Sequence, residues 1–295
     1  MELAHLSPSL SVRLYAKLEG HNPTGSVKDR IARSMIEAAE RSGELRPGMT
    51  ILESTSGNTG IALAMTGRVK GYKVRVVMPD NLTPERAELL ELFGAEIVYS
   101  PGAQGSNGAI GVAQELAASG DYYYPYQYGN SANPGAHYET TGPEIIADLP
   151  DVDVFVAGLG TGGTLMGVGR RLKEHNPRVQ IVAAEPLPGE AVQGLRSLEE
   201  GFTPPILDAA LLDRKILVSN RDSVAGVRLL AEREGIFAGV SSGANLHVAL
   251  RVARGMERGK IVVLMCDGGW KYVSAKIWTR ALPDLAEAME SSVWW

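Results

Sequence analysis

Asn22-Pro23-Thr24-Gly25-Ser26-Val27-Lys28-Asp29-Arg30 is the stretch that decides how this chain is read. Pro23 and Gly25 make a tight turn, and an apolar-periodic segment (Ile31, Met35, Ala38, Ala39) follows at once. Ser26 with Asp29 three residues later reads as a capping box, so the spacing predicts a helix beginning here. Lys28 then falls in the first turn, where the helix dipole and unpaired N–H groups already supply positive potential. A cation gains nothing from that position, so something other than helix stability selects this lysine. An amine held at a helix start and partly desolvated has a depressed pKa and can act as a nucleophile or Schiff-base former. An ordinary surface lysine on a capped helix is the alternative that this stretch leaves open.

Outward from it, short β-branched runs alternate with helical patterns almost throughout, the mark of parallel α/β architecture. Strands are expected at 14–19, 50–53, 74–78, 97–99, 122–126, 152–157, 181–185 and 261–266. Helices are expected from Lys28 to about 42 and at 60–70, 84–94, 109–119, 165–175, 222–234 and 244–254, with Thr83 capping the third and Pro84 at its first position. Residues 126–135, rich in Asn, Gly, Pro and Ser, read as a hinge between two lobes. The smaller lobe is 22–131, and the larger is 1–21 plus 132–295. The Pro-rich stretch 199–212 is expected to lack regular structure.

A chain of 295 residues with 44% hydrophobic and 21% charged content is that of a globular protein with room for two lobes. Net charge is −5 and no basic patch with interleaved aromatics occurs, which argues against a nucleic-acid partner. No signal peptide, membrane span or metal-ligand spacing is legible, and cytoplasmic localisation is the expectation. The single cysteine, Cys266, closes the apolar run from Ile261 and reads as a buried structural thiol suited to a reducing compartment.

Ligands of open parallel sheets sit beyond the carboxyl ends of the strands, and three polar loops fall at or near such ends. Ser54-Thr55-Ser56-Gly57-Asn58-Thr59-Gly60 offers hydroxyls, an amide and backbone N–H groups at a helix N-terminus, a set suited to a carboxylate. Gly158-Leu159-Gly160-Thr161-Gly162-Gly163-Thr164 lets backbone N–H groups approach a phosphate under a helix dipole. It also satisfies G-x-G-x-x-G, and Glu185 follows at the next strand end, so a dinucleotide site is a rival on this loop alone. Gly239-Val240-Ser241-Ser242-Gly243 precedes a helix and has N-cap serines as its plain reading.

Taken together, the helix-start lysine, the Ser-Gly-Asn-Thr-Gly turn and the Gly-Thr-Gly-Gly-Thr loop resemble the cysteine synthase family. Its members are pyridoxal-phosphate enzymes of fold type II, with two open parallel-sheet lobes as in the tryptophan-synthase β-subunit. The resemblance runs from about Leu3 to Tyr272. It implies that Lys28 carries the cofactor as a Schiff base and serves as acid and base at the substrate Cα. It implies that Asn58 bonds the ring 3′-oxygen, and that Thr55, Ser56, Gly57 and Thr59, with Gln127, hold the substrate carboxylate. Gly160, Thr161, Gly162, Gly163 and Thr164 would cradle the cofactor phosphate, and Ser241 would face the pyridine nitrogen. A serine there cannot hold a proton on the ring as an aspartate would, so the ring is a weaker electron sink. That favours β-elimination and β-replacement over transamination.

The implied reaction makes L-cysteine from an activated serine and a sulfur nucleophile. Gly194-Leu195-Arg196-Ser197-Leu198-Glu199-Glu200-Gly201-Phe202 is similar to the branch using O-phosphoserine rather than O-acetylserine, where an arginine binds the leaving phosphate. Asp267-Gly268-Gly269-Trp270-Lys271-Tyr272 is similar to the same branch, whose donor can be sulfide or the C-terminal thiocarboxylate of a small sulfur-carrier protein. A homodimer is expected, and the tail ending Val293-Trp294-Trp295 is expected to pack, join a dimer contact or close over the site. Cystathionine β-synthase, serine/threonine dehydratase, an NAD-binding dehydrogenase and a non-catalytic scaffold are the alternatives. The chain departs from the family at Asn130-Ser131-Ala132-Asn133, where Asn-Pro-Ala-Asn is usual. Family members also open with Gly-Asn-Thr-Pro-Leu, which Met1-Glu2-Leu3 would follow. Without that segment, the strand at 14–19 is expected to present an apolar edge.

Overall fold

The computed structural model describes residues 1–55, 57–80, 84–190 and 192–280. Ser56, the Thr83 cap and the tail from Leu282 to Trp295 lie outside them. Among the described residues, the elements run β1 (Val12–Leu18), α1 (Lys28–Ser42), β2 (Thr50–Ser54), α2 (Asn58–Lys70), β3 (Lys73–Pro79), α3 (Pro84–Leu92), β4 (Glu96–Ser100), α4 (Gly105–Ala117) and β5 (Tyr122–Tyr123). They continue as α5 (Ala132–Ala136), α6 (Gly142–Asp148), β6 (Val154–Gly158), α7 (Gly163–His175), β7 (Gln180–Pro186), β8 (Arg214–Val218), α8 (Asn220–Glu234), α9 (Val240–Ala253) and β9 (Gly259–Met265).

Two wholly parallel sheets result, ordered β4-β3-β2-β5 and β1-β9-β6-β7-β8. Parallel strands covered on both faces read as unbroken apolar runs, and Val154–Ala157 and Ile261–Met265 are buried throughout. Helix α1 is the amphipathic case: Ile31, Met35, Ile36 and Ala39 face the smaller sheet's core, while Arg33 and Arg41 stay outside.

Several expectations change. No capping box forms at α1: Asp29 accepts from Thr24 N at 2.7 Å and from the Thr24 hydroxyl, while Ser26 Oγ accepts the Lys28 N–H at 3.3 Å. The carboxylate closes the preceding turn instead of reaching back to the cap. The expected strand at 122–126 ends at Tyr123, since only Tyr122 and Tyr123 pair with β2, and Tyr126 further on turns the chain with a φ of 47°. The hinge and the residues after it hold α5 and α6, joined by a π-helical turn at His137–Thr141. Strand β8 carries no clear strand signal in the sequence, because Arg214-Lys215 masks an edge strand's pattern. The serine loop before α9 is already helical, with Gly239 as the cap. The outer edge of β1 is paired rather than bare: Leu3 N donates to Leu14 O at 2.8 Å, and Ala16 N to Met1 O at 2.8 Å.

Candidate active site

The carboxyl ends of β2, β6 and β9 converge on one cleft of about 410 Å³. Lys28, Thr55, Gly57, Asn58, Thr59, Gln127, the whole 160–164 loop, Arg196 and Ser241 all line it. The fold thus brings together residues of the lysine turn and of the 54–60 and 158–164 loops with Gln127, Arg196 and Ser241, from elements far apart in the chain.

Lys28 reaches the cleft because the turn before it is stitched to the end of β9. Val27 N donates to Cys266 O at 2.8 Å, Gly268 N donates to Gly25 O at 3.1 Å, and Ser26 forms an isolated antiparallel bridge with Asp267. Burial pushes the Lys28 amine below its ordinary range, with Cys266 and Asp267 opposing the shift. That is the environment of a lysine that spends time as a free base. Cys266 also lines the cleft, and burial pushes its thiol up to about 11, which keeps it protonated.

The cradle at the start of α7 is shaped by glycine at two positions. A Cβ on Gly160 would lie 2.4 Å from Gly194 O, and one on Gly163 would lie 1.8 Å from Asn133 Oδ1. The absence of side chains at these positions leaves the backbone N–H groups of the helix N-terminus accessible, an arrangement that can take an anion. Asn133 Nδ2 braces the loop through Thr161 Oγ1 at 3.0 Å and Gln127 O at 2.9 Å. The Thr164 hydroxyl meets His137 Nε2 at 3.2 Å, and the far ring nitrogen meets Thr141 Oγ1 at 2.9 Å. Burial pushes His137 down to about 3, so it stays a neutral orienting group.

On the opposite wall, the Thr59 hydroxyl donates to Gln127 Oε1 at 2.8 Å, which joins two of the carboxylate candidates directly. Behind them Glu53, fully buried, accepts from Gln127 N at 3.2 Å and Ser54 N at 3.1 Å, and burial pushes it up to about 8. Arg196 lies over the rings of Phe202 and Tyr128, at 4.7 and 5.4 Å. The two rings hold the guanidinium beside the cleft and Tyr128 also hydrogen-bonds to it, so one of its five N–H donors is engaged and others are available to an anion. Glu185, the acid of the rival dinucleotide reading, is buried, accepts from Leu198 N at 2.8 Å and pairs with Lys215 at 2.9 Å. It serves the fold of the 195–200 segment, and no ribose can use it. Sequence reasoning missed His137 as a brace, because nothing local distinguishes a buried ring from a surface one.

Two parallel-sheet lobes with a buried helix-start lysine, a glycine loop at a helix N-terminus, a carboxamide and a serine on one cleft are the arrangement of the fold-type II pyridoxal-phosphate enzymes, and these groups could hold that cofactor. Comparison with known proteins agrees. The family described as "Pyridoxal-phosphate dependent enzyme" matches residues 1–267, and the chain belongs to it, among the cysteine synthases. It is 44% identical to cysteine synthase B of Pseudomonas aeruginosa over 279 residues, 94% of this chain and 93% of that one. The crystal structure of a cysteine synthase (OASS) from Entamoeba histolytica superposes with a TM-score of 0.89 at 33% identity, covering 99% of this chain and 92% of that one. A hydrogen sulfide-producing enzyme from Fusobacterium nucleatum gives 0.85 at 39% identity, covering 89% and 92%. The cofactor is therefore pyridoxal phosphate, and the dinucleotide reading of the 158–164 loop is overturned. No helix among the described residues is long and apolar enough to cross a membrane.

Proposed function

We propose that this enzyme makes L-cysteine by β-replacement on an activated serine, with O-phosphoserine preferred over O-acetylserine. The observation that carries the substrate choice is Arg196, stacked on Tyr128 and Phe202 at the cleft wall that also holds the phosphate cradle. When bound, the cofactor supplies an electron sink for the substrate Cα. Lys28 holds the cofactor and, as a free amine, takes the proton from Cα. Thr55, Ser56, Gly57 and Thr59, with Gln127, hold the substrate carboxylate, and the Thr59–Gln127 hydrogen bond keeps their groups in register. Gly160 to Thr164 hold the phosphate, Asn58 the ring 3′-oxygen, and Ser241 the ring nitrogen as a neutral partner. Cystathionine β-synthase or dehydratase chemistry would use the same core groups but has no need of Arg196. The sulfur arrives as sulfide or as a carrier-protein thiocarboxylate, in a cytoplasmic homodimer whose 22–131 lobe moves against the remainder.

Phosphoserine's leaving group carries close to two negative charges, and an acetyl ester carries none. A charge-assisted bond to a guanidinium is worth roughly 1.5–3 kcal/mol, which is about tenfold to a hundredfold in rate. Arg196→Ala should therefore lower kcat/KM for O-phosphoserine by that factor and leave O-acetylserine nearly unchanged. The decisive assay measures both substrates with sulfide and with a carrier thiocarboxylate. Equal losses on both substrates would make Arg196 structural and remove the phosphoserine preference.

A further inference from the structure

Asn58 stands at the first position of α2, yet its side chain is held by the segment that follows β9. Its Oδ1 accepts from Lys271 Nζ, and its Nδ2 donates to Asp267 Oδ2 at 2.8 Å. The same carboxylate oxygen accepts the Tyr272 hydroxyl at 2.8 Å. Lys271 is 5% exposed and Asp267 1%, so water offers these groups little competition. The two ends of a carboxamide are nearly the same size and opposite in hydrogen-bonding character, so packing alone does not decide which way the group points. Turning Asn58 over would set its NH2 against the lysine ammonium and its oxygen against the Asp267 carboxylate. Both contacts would be repulsive in a buried site, where an unmade hydrogen bond is costly.

We propose that Lys271 is a positioning residue, which with Asp267 locks the Asn58 carboxamide in the one orientation that turns its second Nδ2–H to the cofactor's ring 3′-oxygen. The inference rests on the assignment of Asn58 to that oxygen. Because Asn58 belongs to α2 while Lys271 and Asp267 follow β9, the same two bonds tie the smaller sheet's layer to the larger at the cofactor ring.

The clamp depends on charge. Facing Lys271 are Asp267 on its own segment, Asp29 and Lys28 of α1 and Arg86 of α3, with the Trp270 ring 4.9 Å from its Nζ. Burial leads in pushing the amine down to about 8, with Lys28 and Arg86 adding to it, while Asp267 and Asp29 hold it up. Below that pH Lys271 is a donor only. Above it the neutral amine also has a lone pair, and the penalty against the turned carboxamide falls. An arginine would stay charged and keep the donor.

The test uses the holoenzyme's absorption spectrum between pH 6.5 and 9.5, since the ratio of visible to near-ultraviolet bands reports the state of the ring oxygen. It is paired with the dissociation constant of pyridoxal phosphate from the apoprotein, read by tryptophan quenching. Lys271→Met should displace the band ratio already at pH 7 and raise the dissociation constant about fivefold to twentyfold. Lys271→Arg should restore the ratio at pH 7 and flatten its alkaline change. Asn58→Ala should displace the ratio as Lys271→Met does, and adding Lys271→Met to it should change nothing further. If Asn58→Ala displaces the spectrum and Lys271→Met does not, Lys271 is no clamp although Asn58 keeps its role. If Asn58→Ala itself leaves the spectrum alone, the assignment of Asn58 fails and the clamp with it. Should Lys271→Met fold poorly, Lys271→Gln compared with Lys271→Arg decides the same point.

Discussion

At the scale of single residues, Lys28 and a buried carboxyl both owe their shifted ionisation to desolvation. Burial favours the neutral amine of Lys28, as a Schiff-base former requires. Borohydride reduction of the holoenzyme should leave a phosphopyridoxyl group on Lys28, found by peptide mass spectrometry; label on another lysine would refute the role. Glu53 is raised in the folded state to about 8 by burial, whereas an unfolded glutamate ionises near 4.5. Between those values the folded state binds the extra proton, so the contribution of Glu53 to stability is greatest below about 4.5 and declines as pH rises toward 8. The decline is on the order of a few kcal/mol. Glu53→Gln should remove it, giving a melting temperature that no longer falls between pH 5 and 8. A slope as steep as the wild type's would show that Glu53 does not titrate in this range.

At the scale of elements, the start of α7 shows how close packing builds a binding site. Gly163 is the first residue of α7, and Asn133 sits where its Cβ would be. Gly163→Ala would have to displace Asn133, which is 1% exposed and braces both Thr161 and Gln127. Overpacking of this kind costs about 1–3 kcal/mol. Calorimetry should show a lower melting temperature, and pyridoxal phosphate should bind at least tenfold more weakly. Wild-type affinity in this variant would mean that the cradle does not depend on the Asn133 brace. The 132–148 helical run supplies that asparagine and His137 together, which is why a stretch that reads as a hinge matters to the 160–164 loop.

Across the whole molecule, a charge cluster joins the layers. Arg30 of α1 pairs with Glu19 after β1 at 2.6 Å and with Glu144 of α6 at 2.7 Å, and Lys17 of β1 also meets Glu144 at 2.5 Å. Hydrogen bonds from Arg30 and Lys17 outweigh burial and hold Glu144 down to about 2. A depressed carboxylate contributes stability above its unfolded value, lost as pH falls from about 4.5 toward 2. Because Glu144 is 41% exposed in its side chain, screening limits the contribution to roughly 1 kcal/mol, about 2 °C at this size. Glu144→Gln should melt lower by that amount at pH 7 and equal the wild type near pH 2; a constant gap at all pH values would argue against the charge. The alternation of apolar runs and amphipathic helices, with Gly, Thr and Asn at the strand ends, determined by itself the parallel α/β class, nearly all the strands and the polar loops that line the cleft. Those signals are local: periodicity, a turn residue or a helix start is complete within a dozen residues. Only the tertiary structure decided that Asp29 closes the Thr24 turn, that β5 stops at Tyr123, and that Glu185 is spent on the fold. It alone brought His137 to Thr164, Asn133 to Gly163 and Lys271 to Asn58. Those pairings join residues far apart in the chain through burial and distance, which no stretch of sequence carries.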